Sequence, residues 1–401
     1  MQFGLTETQQ VLKSSAREFF STECPWGEVR RLMNTGTAYD ATLWQKMAQQ
    51  GWTGIIFPEE YGGLGLGMVD MAVALEEMGR ALLPGPYFST VLLAGAAIES
   101  AGNAAQKKRY LSRISMGEAR ATVALLENKP RWEPEAVQVR ARLTLNGWEL
   151  DGRKLFVTDA GSADFLVCVA RRDGDLGLYI VPRGARGLTI ELIPSIDDTR
   201  KLYRVDFESV EVAEPDFLAI GNSAEEALRR TLAIAAAGLT AEMVGGMQRV
   251  MEITVEYAKA RKQFSKPVGQ FQAVQHLCAD MLLLTESSRS AAYYAAWALQ
   301  QHAPAAAVAV SVAKSYASDA YREVGNRGIQ VHGGMGFTWE NHVHLYYKRA
   351  KASEVMFGDA AYHREQIARL VIDRAPSGGR TPAEPHDAMV SSRTAPTMPG
   401  I

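Results

Sequence analysis

Three basic residues lie at a break between two long apolar segments, within YAKARKQFSKPVGQFQAVQH from Tyr257 to His276. Arg261, Lys262 and Lys266 stand around Phe264, and a proline and a glycine follow. Basic side chains at the end of one helix, next to the free backbone N–H groups of the following helix, are suited to binding a pyrophosphate. A basic turn between helices is also a common solvent-exposed corner, so this cluster alone leaves both interpretations open.

A second candidate for chemistry is a single carboxylate, Glu242, in the segment AEMVGG. Its neighbours predict an apolar stretch of helix, in which a carboxylate is costly to bury unless it is paired or functional. Three roles are therefore open for Glu242: a catalytic base, the polar floor of a pocket, or a member of a structural ion pair.

The cysteines and histidines do not indicate a metal site. Cys24, Cys168 and Cys278 are far apart and set among apolar neighbours, which predicts buried, reduced thiols. They show no metal-ligand spacing, and His332 lacks a ligand partner at a suitable spacing. We expect His332 to be a packed or hydrogen-bonded histidine.

The composition is that of an ordinary globular protein, with 47% hydrophobic and 22% charged residues in 401. A formal net charge of -2 gives no bulk electrostatic reason for binding nucleic acid or an anionic membrane. The N-terminus lacks the features of a secretory signal, and no apolar run approaches the roughly 18 residues of a membrane span. We therefore expect a cytoplasmic protein that binds neither nucleic acid nor membranes.

The periodicity of apolar residues changes twice along the chain. One-sided apolar stripes, the first preceded by a capping box at Thr6 and Gln9, predict an all-α domain over residues 1–118. Short alternating segments with turns such as Asn146-Gly147 predict a small antiparallel β-barrel or sandwich over 119–215.

The C-terminal part returns to helical periodicity. Four long helices with short connections predict a four-helix bundle over residues 216–373, the last helix running from about Val343 through Gly358 and beyond. Residues 374–401 are rich in Pro, Ser, Gly and Thr, which predicts a disordered tail.

Four separated motifs resemble those of one known family, the acyl-CoA dehydrogenases. RKQFSKPVGQFQ is similar to the family signature R-x-x-F-G-x-x-x-x-x-x-Q, with Ser265 where glycine is usual. PEEYGGLGLG at 58–67, DTR at 198–200 and QVHGGMGF at 330–337 resemble its N-terminal motif, its barrel motif and its glycine-rich turn. The resemblance implies an N-terminal all-α domain, a middle antiparallel β-barrel and a C-terminal four-helix bundle.

This resemblance also implies an activity and a cofactor. Members of the family remove the α-proton of an acyl-CoA thioester and transfer the β-hydride to FAD. Phe156 and Thr158 correspond to the family's W-x-T motif, which implies contact with the isoalloxazine ring and a hydrogen bond near its N5 atom. The positions that match contacts to the ADP half of FAD across a subunit boundary are Arg261, Phe264, Gln272, Gln330, Gly333 and Gly334.

The catalytic base is where this sequence departs from the family. The family's usual E-G-T motif corresponds to Phe357-Gly358-Asp359. An alternative glutamate position lies on the long helix before the basic turn around Phe264, called the elbow below, and corresponds to Ala235. Glu242 lies on the same predicted helix face two turns after Ala235, roughly 10 Å along the axis, and is our candidate for the base. Asp359 is predicted to lie near the cofactor ribose instead.

Three functions remain open at this point. The first is an FAD-dependent acyl-CoA dehydrogenase, an oxidoreductase that uses Glu242. The second is a non-catalytic partner subunit that completes the FAD site of a catalytic subunit, and the third is a flavin monooxygenase or oxidase on the same fold. The resemblance further implies a homo- or hetero-oligomer, with an electron-transfer flavoprotein as electron acceptor.

Overall fold

The structure is a computed structural model that describes residues 4–129, 132–145 and 147–373. The predicted tail at 374–401 and the predicted turn residue Asn146 lie outside these residues. Helices come first, strands follow, and helices return to the end of the described chain. The predicted α, β, α order is confirmed.

Six α-helices form the N-terminal part. They are α1 (Glu7–Glu23), α2 (Trp26–Met33), α3 (Ala41–Gln49), α4 (Met68–Arg80), α5 (Ala96–Ala101) and α6 (Ala104–Ser115). The predicted capping box is present at α1, where Thr6 Oγ1 accepts from the Gln9 backbone N–H and the Gln9 side chain accepts from the Thr6 N–H. A π-helical segment, Ser89–Gly95, leads into α5.

Eight strands form one sheet in the middle of the chain. They are β1 (Ala121–Ala124), β2 (Arg140–Thr144), β3 (Gly147–Thr158), β4 (Phe165–Arg172), β5 (Asp175–Pro182), β6 (Leu188–Ile193), β7 (Leu202–Ala213) and β8 (Phe217–Ile220). Their order is β6-β7-β3-β2-β4-β5-β8, with β1 paired to β4. Most neighbouring strands pair antiparallel, as predicted, but β1 pairs with β4 in parallel, and β2 meets β4 in parallel at Arg140 and Arg171. The sheet encloses a separate apolar core that includes Trp148, Tyr179 and Phe207.

The C-terminal helices are α7 (Asn222–Ala260), α8 (Gln272–Gln300), α9 (Ala306–His332), α10 (Val343–Val355) and α11 (Ala360–Val371). The prediction that the last helix continues through Gly358 is wrong, since the chain leaves the helical path between α10 and α11. The four residues of this connection, Met356 to Asp359, are called the 356–359 loop below. The loop and residues of the sheet line the same cavity.

Glycines let α4 and α7 cross in close contact. A Cβ atom at Gly245 would lie 1.7 Å from the backbone oxygen of Glu76, and one at Gly79 would lie 1.9 Å from that of Glu242. No side chain fits at either distance, so the sequence GG in AEMVGG serves helix packing. This crossing fixes where Glu242 lies.

Two of the three cysteines are buried, as predicted. Cys24 and Cys168 are buried, but the prediction is wrong for Cys278, which is partly exposed on α8. Burial raises the pKa of the Cys168 thiol to about 12, which keeps it protonated and unreactive. Within the described residues, every helix is too short or too polar to cross a membrane.

Candidate active site

A cavity of about 630 Å³ lies between the sheet and the C-terminal helices. Strands β1 and β3, helices α7, α10 and α11 and the 356–359 loop all contribute side chains to its lining. Most of these are apolar, among them Leu93, Leu125, Leu232, Val355 and Met356. Its size and its position between domains are typical of a ligand site.

The end of β3 forms one wall of the cavity. Phe156 and Thr158 both line it, and the Phe156 ring is 42% exposed, in contrast to the buried Val157 between them. Phe156 has a φ of +55°, and the pairing of β3 with β7 shifts register between Lys154 and Val157. This irregularity in the strand turns the Phe156 ring toward open space instead of into the sheet core.

Another part of the cavity lining is aromatic at residue 357, the position that the resemblance assigns to the usual catalytic glutamate. The Phe357 ring centroid lies 5.1 Å from that of Trp132 and 5.7 Å from that of Phe88, and the residue is only 5% exposed. Phe357 has a φ of +57° and Gly358 a φ of +99°. A positive φ is unfavourable for a residue with a Cβ atom, so the surroundings must hold Phe357 in place.

Two titratable side chains hold the 356–359 loop from behind. Lys314 Nζ donates to the carbonyl oxygens of Gly358 at 2.9 Å and Glu354 at 3.1 Å, and His363 Nε2 lies 3.0 Å from the carbonyl oxygen of Phe357. Burial lowers the pKa of Lys314 to about 7 and that of His363 to about 4. Asp359 lines the cavity and caps α11, where its Oδ1 accepts from the Tyr362 N–H at 2.8 Å.

Glu242 belongs to a buried group of charges behind the cavity. Its two carboxylate oxygens accept from Arg200 Nη2 at 3.0 and 2.7 Å, and Arg349 Nη1 donates to the same carboxylate. Burial alone would raise the pKa of Glu242, but the two guanidinium groups hold it below its ordinary value. A carboxylate held in this way is a weak proton acceptor, and Glu242 does not line the cavity. The arrangement favours the ion-pair interpretation over a base or a pocket floor.

The same group of charges connects three parts of the chain. Arg349 of α10 donates from Nε to Asp197 Oδ2 at 2.6 Å and from Nη2 to Thr199 Oγ1 at 2.5 Å. Arg200 lines the cavity and lies 4.9 Å above the Phe88 ring. Two guanidinium groups thus face the carboxylates of Glu242 and Asp197, which balances the charges that folding takes out of water.

The basic elbow lies on the surface, away from the cavity of its own chain. Phe264 is 88% exposed, and both Phe264 and Ser265 have positive φ angles of +50° and +66°. Lys262–Gln263 and Lys266–Pro267 pair as a two-stranded hairpin. None of the predicted contacts of the elbow, Arg261, Phe264 and Gln272, is among the residues that line the cavity.

The glycine-rich turn is also open. A Cβ atom at Gly333 or Gly334 would meet nothing within 4 Å, so the backbone of the turn is accessible to a ligand or a neighbouring subunit. Gln330 belongs to the last turn of α9, which ends at His332. His332 is buried, its Nδ1 is 2.8 Å from the Gly328 carbonyl oxygen and its ring stacks on Tyr257. His332 therefore packs and hydrogen-bonds, as expected.

Sequence reasoning missed three residues at this site: Trp132, Lys314 and His363. Lys314 carried a signal, because it is a lone charge in the small-residue segment AVSVAKSYAS. Such a charge on the buried face of a helix needs a buried partner. Trp132 and His363 carried no comparable signal, since their partners are distant in the sequence.

The comparisons with known proteins agree with this geometry. A model of the acyl-CoA dehydrogenase N-terminal domain matches residues 6–118, and one of the C-terminal domain matches residues 226–372. The chain is 31% identical over 365 residues to acyl-CoA dehydrogenase IpdE2 of Mycobacterium tuberculosis, which covers 91% of this chain and 96% of the relative. The chain belongs to the acyl-CoA dehydrogenase family. The fold class and the family predicted from the sequence are therefore confirmed.

Three further relatives also match this chain over almost its whole length. Acryloyl-CoA reductase (NADH) of Anaerotignum propionicum is 30% identical over 93% of this chain and 97% of the relative. The crystal structure of the ChsE4-ChsE5 complex from Mycobacterium tuberculosis matches 94% of this chain and 100% of that chain, with a TM-score of 0.86 and 25% identity. Butyryl-CoA dehydrogenase from Megasphaera elsdenii matches 92% of this chain and 99% of that chain, with a TM-score of 0.85 and 26% identity.

The acyl-CoA dehydrogenase family uses FAD, and the cavity fits this cofactor. The exposed Phe156 ring offers a flat apolar surface, and the neighbouring Thr158 offers a hydroxyl group in the same wall. The volume of about 630 Å³ leaves room for a tricyclic ring system beside these residues. What differs from the expected site is the residue facing this wall, Phe357.

Proposed function

We propose that this chain takes part in the FAD-dependent α,β-dehydrogenation of an acyl-CoA thioester as a subunit of a heteromeric acyl-CoA dehydrogenase, and that it does not supply the catalytic base. One observation carries this proposal. Phe357, at the position where the resemblance implies the usual base, packs against Trp132 and Phe88, while the nearby buried carboxylate of Glu242 is bound to two arginines. Phenylalanine cannot accept a proton, so under this proposal the base comes from another chain.

This chain's own residues would then hold the cofactor. Phe156 would face the isoalloxazine ring, Thr158 would donate a hydrogen bond near N5, and Asp359 would lie near the ribose. When bound, FAD accepts the β-hydride of the acyl group. The apolar lining of the cavity excludes water from the reacting atoms.

The elbow and the glycine-rich turn would act on a neighbouring subunit. Their residues lie outside the cavity of this chain, and Phe264 projects into solvent. We propose that they complete the binding of the ADP half of FAD across a subunit boundary, through Arg261, Phe264, Gln272, Gln330, Gly333 and Gly334. The ChsE4-ChsE5 complex, to which this chain is similar, supports an assembly of two different chains. An electron-transfer flavoprotein as acceptor and a cytoplasmic location complete this proposal.

A self-sufficient dehydrogenase is the second candidate, and one observation favours it. Glu133 lines the cavity beside Trp132, and none of the hydrogen bonds among the described residues uses its carboxylate. An unpaired carboxylate at a cavity is able to accept a proton. The carboxylate of Glu133 also interacts electrostatically with the guanidinium group of Arg369. A positively charged neighbour makes a carboxylate a weaker proton acceptor, so Glu133 is a weaker candidate than a base from a partner chain.

An anaerobic titration separates the two candidates. The purified chain, loaded with FAD and without any partner, is mixed with a panel of saturated acyl-CoA thioesters, and the absorbance of oxidised flavin is followed. We expect the flavin absorbance to stay unchanged with this chain alone. We expect it to bleach when the chain is purified in complex with a co-expressed family member that carries the E-G-T motif. Bleaching by the single chain that is lost in Glu133→Gln would overturn the proposal in favour of self-sufficiency.

A further inference from the structure

The 356–359 loop is anchored at two successive carbonyl oxygens. The Phe357 carbonyl oxygen faces His363 Nε2 on α11, and the Gly358 carbonyl oxygen faces Lys314 Nζ on α9. Both residues of the loop have positive φ angles. A Cβ atom at Gly358 would lie 2.2 Å from the Tyr362 ring, so glycine is required there. The two anchors therefore fix the direction in which the side chain of residue 357 leaves the backbone.

In its charged form, Lys314 has a complete set of acceptors. Its ammonium group has three N–H donors, and three oxygens receive them: the carbonyls of Glu354 and Gly358 and the Ser318 hydroxyl at 2.9 Å. The charged groups that face it are Asp359 and Glu354, which favour its charge, and His363, whose charge it disfavours. A fully buried lysine is costly, and here two of its three donors go to the 356–359 loop and to the end of α10.

His363 supports the loop as a neutral ring. A carbonyl oxygen only accepts hydrogen bonds, so His363 Nε2 must carry the hydrogen that reaches Phe357. Its Nδ1 is then the acceptor side, 3.3 Å from the Ser311 hydroxyl of α9. Both ring nitrogens therefore have a partner. Burial and the nearby Lys314 lower the pKa of the ring, which keeps it neutral.

We infer that Lys314 and His363 are positioning residues that direct the side chain of residue 357 into the cavity. The inference rests on the proposed function, in which this chain has lost only the carboxylate and kept the support beneath it. A glutamate introduced by Phe357→Glu would then face the cavity and take the α-proton, while the β-hydride with its electron pair passes to bound FAD and a carbon–carbon double bond forms. With this support in place, the single substitution Phe357→Glu would give this chain a dehydrogenase activity without a partner.

Hydrogen exchange tests the support without any cofactor. In Lys314→Met, we expect amide exchange in peptides covering 352–364 to be about tenfold faster or more, because the loop and the adjacent helix ends lose their anchor. Lys108→Met, which changes an exposed lysine of α6, is the control and should leave exchange unchanged. If Lys314→Met fails to fold, His363→Leu replaces it, and His363→Gln, which keeps a donor, should restore slow exchange. Unchanged exchange in both Lys314→Met and His363→Leu would overturn the inference.

Flavin bleaching tests the consequence. With saturating FAD, Phe357→Glu alone should be bleached by a saturated acyl-CoA, and the added Lys314→Met should slow this at least about tenfold, because catalysis is sensitive to small misplacements. Adding Lys314→Met to Phe357→Glu should change the dissociation constant for the acyl-CoA less than about twofold, since Lys314 does not line the cavity. Equal rates with and without Lys314, or no bleaching by Phe357→Glu, would overturn the inference and leave the proposed function intact. Bleaching by the unsubstituted chain would overturn the proposed function instead.

Discussion

Replacing Glu242 with glutamine should weaken folding without a separate effect on chemistry. Glutamine fills nearly the same space but has no charge, so Arg200 would lose its carboxylate partner and Arg349 would keep Asp197. Breaking a buried ion pair by removing one partner costs about 3–5 kcal/mol. We expect Glu242→Gln to lower the free energy of unfolding by an amount near the lower end of this range, because the amide oxygen still accepts one hydrogen bond.

Urea unfolding followed by tryptophan fluorescence measures this loss. Glu286→Gln is a matched control, because Glu286 also pairs with an arginine but its side chain is 52% exposed. Exposed pairs contribute at most about 1 kcal/mol, so this variant should unfold almost like the unsubstituted protein. The difference between the two variants reports burial of the pair rather than loss of a carboxylate as such.

The pH dependence supplies a second check of the same prediction. The folded pKa of Glu242 lies below its unfolded value, so its contribution to stability is present above about pH 4.3 and is lost as the pH falls further. The stability gap between Glu242→Gln and the unsubstituted protein should therefore narrow in acid. The reasoning is refuted if Glu242→Gln unfolds like the unsubstituted chain while the assembled enzyme loses acyl-CoA-dependent flavin bleaching, since Glu242 would then be a base.

Three further predictions concern other parts of the molecule. Burial lowers the pKa of Lys314 to about 7, so above that pH the unfolded chain binds a proton that the folded chain has lost. The unsubstituted protein should therefore gain stability relative to Lys314→Met as the pH rises from about 7 to about 9, and urea midpoints that change equally with pH in both proteins would contradict this. Gly245→Ala should cost at least about 1–3 kcal/mol in the same assay, because its Cβ would meet the Glu76 carbonyl at 1.7 Å, and a loss below about 0.5 kcal/mol would refute the close crossing. Arg261→Ala should weaken FAD binding to the assembled oligomer by about 1.5–3 kcal/mol and leave the stability of the single chain unchanged. The exposed Lys259→Ala should change neither the FAD affinity nor the stability, and equal FAD affinity in both variants would remove Arg261 from the site.

The order of structural elements could be predicted from the sequence because it depends on local patterns. The capping box at Thr6 needs residues three apart, and the alternation in the strands needs only neighbours. Two features that depend on distant pairing were missed. One is the parallel contact of β1 with β4, and the other is the break at the 356–359 loop, which Lys314 and His363 stabilise from other helices.

The sequence by itself determined which residues stand at the motif positions, including a phenylalanine at 357, where the resemblance implies the usual base. Only the tertiary structure decided what the remaining carboxylate does. Glu242 looked like a candidate base because its neighbours in the sequence are apolar, but its partners are Arg200, 42 positions away, and Arg349, 107 positions away. A side chain's charge state depends on which groups surround it in space, and the sequence around Glu242 does not contain that information.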